Sequence, residues 1–166
     1  MENTKFLKVL IKRELGINSI FKNKIMDQRK FDLEVRLVKF AFRSLEICDL
    51  LPNNKSGQNL EYQLSKSSTS SALVYGEAQS AESKADFIHK VKIVLKELRE
   101  SRINLRIIIE RPVLVNEKLH FLLKETNELI AIFLKSVETA KQNMINEKMK
   151  KINLKGILLP FLFLIS

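Results

Sequence analysis

Apolar side chains recur at spacings of three and four through four successive stretches of this chain. Such a period can be buried only by coiling each stretch into a helix and packing the helices together. Strands need alternation with a period of two, and no strand pattern is present. Four Gly and three Pro in 166 residues leave few places where a helix must break.

The first stretch reads Leu33, Leu37, Phe40, Ala41, Ser44, Cys48 and Leu51, with Asp32 placed to cap its start and Pro52, Asn53 and Asn54 to end it. Its apolar surface is wider than one core requires, because Val35, Val38, Phe42 and Leu45 extend it. The polar remainder, Arg36, Lys39, Arg43 and Glu46, is confined to a stripe of roughly 80°. An arc this wide implies contacts on two sides, so these four residues form a candidate oligomer interface.

A second helix is expected from near Ser56 toward Ala81, presenting Leu60, Leu64, Ser67, Ser71, Val74, Tyr75 and Ala78. Its serine-rich middle and Gly76 are weak helix formers that need tertiary support, and they read as a small-residue packing stripe or as a phosphorylation loop. A third opens at Ser83 with Asp86 three residues on. It buries Phe87, Val91, Val94, Leu98, Leu105 and Ile109, and stops before Pro112. The fourth, capped by Asn116, presents Leu119, Leu122, Leu123, Thr126, Leu129, Ile130, Phe133, Val137, Ala140 and Met144. Four such helices of roughly 20 to 30 residues with short connectors predict an all-α, antiparallel up-down-up-down four-helix bundle.

The ends read differently from this domain at 31–150. Residues 1–30 form a basic extension with eight Lys/Arg against three acids. Met26 fits a start just ahead of the first well-patterned helix, which leaves 1–25 frayed; the rival is an arm for a membrane surface or nucleic acid. Residues 151–166 form an apolar tail in which Gly156 to Ile165 is too short to span a bilayer. With one cysteine and no export signal, the expected compartment is the cytoplasm.

Catalytic constellations are missing. His89 and His120 sit on different helices without a second cysteine, the lone ExxH run at Glu117 to His120 has no second copy to complete a bundle-type di-iron set, and the four glycines are scattered singly, so neither a metal site, a cofactor nor a phosphate loop is expected. An enzyme is not the expected reading. The carboxylates Glu77, Glu82, Glu97 and Glu100 read as solvated.

What remains is electrostatic. The net charge is +10. Lys92, Lys96, Arg99, Arg102 and Arg106 fall within roughly 120° on the third helix, with Glu97 and Glu100 expected to point elsewhere. Together with Arg36, Lys39 and Arg43 they form candidate contacts to the phosphates of RNA or DNA, without sequence preference. The alternative is that these rows pair with acids inside the bundle or across subunits, in a protein-binding scaffold.

The stretches FDLEVRLVKFAFRSLEICDLLP and, above all, YGEAQSAESKADFIHKVKIVLKELRES, Tyr75 to Ser101, resemble the bacterial four-helix bundle proteins of the 23S rRNA-intervening sequence family. The resemblance covers residues 31–110, extends loosely over the fourth helix, and stops at both ends of the chain. It implies an up-down bundle that assembles into a homo-oligomeric ring, a pentamer. It also implies kinship with accessory proteins of diversity-generating retroelements, which partner a reverse transcriptase and nucleic acid.

Overall fold

The structure is a computed structural model that describes residues 33–111 and 113–162. The expected cap Asp32, the stop at Pro112, the basic extension 1–30 and the last residues of the tail lie outside the described residues. The chain divides into two compact units, Met1–Arg36 and Leu37–Ser166, and the bundle belongs to the second.

The helices are α1 over 33–48, α2 over Lys55–Gln79, α3 over Lys84–Glu110 and α4 over Glu117–Leu162, and among the described residues there is no strand. The fold is an all-α four-helix bundle. Each boundary has a local cause. α1 tightens at its end through Leu50 N–H to Ile47 O (3.1 Å) and Leu51 N–H to Cys48 O (3.1 Å), and Pro52 follows. Asn54 caps α2 by accepting from Gly57 N–H at 2.9 Å, and Ser83 caps α3 by accepting from Asp86 N–H at 3.1 Å. Asn116 caps α4 through Lys118 N–H at 2.9 Å.

The core follows the apolar stripes. Leu37, Phe40, Ala41, Ser44, Ile47 and Cys48 of α1 are buried against Leu60, Leu64 and Tyr75 of α2, Val91, Val94, Leu98 and Leu105 of α3, and Leu119, Leu122, Leu129 and Phe133 of α4. Tyr75 and Phe133 meet edge to face with centroids 5.2 Å apart. α3 departs from the sequence expectation: Ile88, Leu95 and Ile108 are buried, while Phe87 and Ile109 are half-buried. α3 packs against both α2 and α4, so its deepest line runs between those two neighbours rather than along one face.

The serine-rich middle of α2 is packed. Ser67, Ser68 and Ser71 are buried, and the Ser67 and Ser101 hydroxyls meet across the α2–α3 seam at 2.8 Å. Ser101 donates to Glu97 O at 3.0 Å, which leaves Ser67 to donate to Ser101 Oγ, and Ser71 donates to Ser68 O at 2.7 Å, so the seam carries satisfied hydroxyls at close helix separation.

The lengths depart from expectation at α4, which has 46 residues and continues through 150 to Leu162. No Gly or Pro interrupts it before Gly156, so the backbone keeps its hydrogen-bond ladder after the core has ended. Lys84, the first residue of α3, pairs with Glu147, which marks where α4 outlasts its neighbour.

Two glycines of α2 make opposite demands. A Cβ on Gly57 would lie 1.9 Å from Pro52 O, the carbonyl that accepts from Asn54 N–H in the tight α1–α2 turn, whereas a Cβ on Gly76 would meet nothing within 4 Å. Gly76→Ala is therefore expected to raise stability by about 0.5 to 1 kcal/mol, and Gly57→Ala to lower it despite the better helix former. Chemical denaturation of the two variants checks the opposite signs.

Candidate nucleic-acid interface

Lys92, Lys96, Arg99 and Arg106 are exposed on α3, and Arg102 is half-buried beside them. Helical geometry sets this row along one edge of α3 because the core takes the other side. The carboxylates of α3 do not point away from it. Lys96 Nζ lies 3.1 Å from Glu100 Oε1 and 3.3 Å from Glu97 Oε1, and Glu97 is buried rather than solvated. The expectation fails for a simple reason: residues four apart stand only about 40° apart on a helix, and the lysine stem is long enough to reach either acid. Its hydrogen bond to Glu100, then that to Glu97, holds the Lys96 ammonium above the ordinary lysine value. Arg106 is likewise engaged, by Glu110 through Nη2 at 2.8 Å and Nε at 3.2 Å.

Lys92, Arg99 and Arg102 differ. Among the described residues none of them has a carboxylate within ion-pair distance, and Arg102 Nε is buried with no hydrogen-bond partner. Arg99 lines an open groove of about 430 Å³ with Gln63, Lys96, Glu100, Ile103 and Asn104, where α2 and α3 meet.

On α1, Lys39 is exposed, Arg36 is half-buried and engaged, and the Arg43 guanidinium sits over the Phe121 ring of α4 at 5.0 Å. Glu46 faces Lys118 at 3.8 Å, and Cys48 Sγ–H donates to Glu61 O on α2 at 3.6 Å. α1 from Leu37 onward thus lies beside α4 and α2, and α3 also lies between those two. The polar stripe of α1 and the row of α3 are therefore set on different sides of the core.

The wide apolar arc of α1 stays uncovered. Val35 is 46% exposed, Val38 55%, Phe42 61% and Leu45 39%. Phe121, half exposed on α4, adds to it; the signal available was an aromatic residue one position off the buried stripe of α4. A basic cleft of about 560 Å³ between the α1–α2 turn and the end of α3 also went unread in the sequence, because Lys55 and Arg111 are far apart along it. There Arg111 Nη1 donates to Ser56 Oγ at 3.4 Å.

His89 and His120 are both exposed, and among the described residues no three His, Cys, Asp or Glu side chains gather as a metal-holding group.

The 23S rRNA-intervening sequence protein family matches residues 30–135, which takes in α1, α2, α3 and the core-forming part of α4. This chain belongs to that family. Among solved structures, a crystal structure from Bacteroides thetaiotaomicron, of a protein with unknown function from the S23 ribosomal protein family, is 25% identical with a TM-score of 0.60. It covers 66% of this chain and 97% of its own. No curated protein matches the sequence. Among the described residues, no helix of this family member is long and apolar enough to cross a membrane.

Burial pushes the Cys48 thiol up to about 12, helped by the charges of Glu61 and Asp49. A raised thiol pKa means that the folded chain keeps its proton where the unfolded chain loses it, so this contribution to stability is present below pH 9 and is lost as pH rises toward 12. At pH 8 alkylation of Cys48 should be about a thousandfold slower in the folded chain than in denaturant, since three pKa units separate their thiolate fractions. Equal rates, followed by mass spectrometry, would contradict this account of the thiol.

Proposed function

We propose that this chain is a non-catalytic, self-associating bundle that binds the phosphate backbone of RNA or DNA without sequence preference, in the cytoplasm. Self-association uses the outer face of α1, where Val38, Phe42 and Leu45 remain exposed beside Phe121. Nucleic-acid contact uses α3. The observation that carries it is that, among the described residues, Lys92, Arg99 and Arg102 have no carboxylate within ion-pair distance, and that Arg99 lines an open groove. Cations left unpaired on one edge of a helix release counterions from a phosphate backbone at little desolvation cost. Lys96 and Arg106 contribute less, because their own helix already supplies acids to them.

That same pairing favours a second reading, a protein-binding scaffold without nucleic-acid affinity. The two readings separate on salt dependence. Replacing Lys92 and Arg99 by Ala should reduce the slope of log affinity against log salt for duplex DNA by about 1.8, as two phosphate contacts are lost. Fluorescence anisotropy across a salt series measures this, with helicity checked in parallel. An unchanged slope, or no binding by the parent chain at physiological salt, supports the scaffold instead.

For the assembly, Val38→Asp together with Phe42→Asp should convert the oligomer to a single subunit in light scattering. Both side chains are exposed, so the fold itself should keep its helicity and stability.

A further inference from the structure

The end of α4 is neither core nor part of the family match, which stops at residue 135. After Glu147 meets Lys84, the helix continues for fifteen residues, 148–162, about 22 Å at 1.5 Å per residue. Ile145, Met149 and Ile152 fall on one line of this helix, and their exposure rises outward along it, at 49%, 55% and 63%. The sequence 157–162 that follows is wholly apolar.

The charges beside this line are almost all of one sign. Lys141, Lys148, Lys150, Lys151 and Lys155 lie between 141 and 162, against one acid, Glu147, which Lys84 of α3 engages. Among the described residues no helix is long and apolar enough to span a bilayer. A helix with a narrow apolar line and a lysine-rich remainder matches a segment lying in a membrane interface.

We propose that α4 from Lys141 to Leu162 lies in the surface of an anionic lipid bilayer, with the Ile145, Met149 and Ile152 line inserted and the lysines at the level of the lipid phosphates. Charge complementarity selects this occupant over a second copy of the chain. Two such helices laid together would bring their lysines into proximity with almost no carboxylate to answer them, whereas anionic headgroups neutralise them. The proposal is independent of the reading of α1 and α3.

The test uses the full chain and vesicles of phosphatidylcholine mixed with phosphatidylglycerol, read by flotation. The parent should bind these vesicles, bind pure phosphatidylcholine more weakly, and be released by salt. Met149→Gln with Ile152→Gln leaves charge unchanged, does not lower helix propensity and lies beyond the core, so the bundle should stay folded. It should weaken vesicle binding at least about tenfold, because the buried apolar area is removed. Asn143→Gln with Asn146→Gln, off the apolar line, should bind as the parent does. Absence of parent binding to anionic vesicles overturns the proposal, as does a Met149/Ile152 variant that binds like the parent. A change confined to its light-scattering mass would assign the line to a second copy and overturn it too.

Discussion

Every helix of this bundle has one side that water cannot solvate, and the four sides have to be closed on one another at a spacing that leaves no polar group stranded. The α2–α3 seam shows how narrowly that condition is met. Ser67, Ser68 and Ser71 replace the large residues that would keep the helices apart, and their hydroxyls are returned to carbonyls of the same helix or to Ser101 across the seam. A close approach made by leucines alone would be impossible, and one made by unsatisfied hydroxyls would be costly. The deeper aromatic contact between Tyr75 and Phe133 then ties α2 to α4.

Charge is arranged around this core rather than in it. Along α3, acids four residues from Lys96 and Arg106 quench part of the row, while among the described residues Lys92, Arg99 and Arg102 have no carboxylate within ion-pair distance. A count of lysines and arginines overstates the surface available to a phosphate. The positive edge of α3 is narrower than its composition suggests, and the apolar outer face of α1 is at least as prominent a feature of the bundle.

The buried stripes were legible because helical period, caps and breakers are local properties. Leu37, Phe40, Val91, Leu98, Leu129 and Phe133 fall where the spacing puts them, and Ser83 and Asn116 mark the starts of their helices, while Asn54, read in the sequence only as the end of the first helix, also caps the second. The residues read as a candidate oligomer face are exposed on the subunit, since their excess over one core is itself a matter of counting around a wheel. Less was legible at the candidate phosphate-binding edge. Which carboxylate a lysine reaches depends on rotamers and on burial of the acid, as with Glu97, and a wheel drawn in 100° steps records neither.

The amino-acid sequence alone therefore determined the helical class, the faces that must be buried, the excess of apolar surface on α1 and the membership suggested by Tyr75 to Ser101. Tertiary structure decided what depends on residues distant along the chain. It set the Ser67–Ser101 seam, placed Arg43 over Phe121 and set Lys55 and Arg111 around one cleft. Period is a one-dimensional property of neighbours a turn apart, whereas these contacts exist only after separate helices have chosen their rotation and depth against one another.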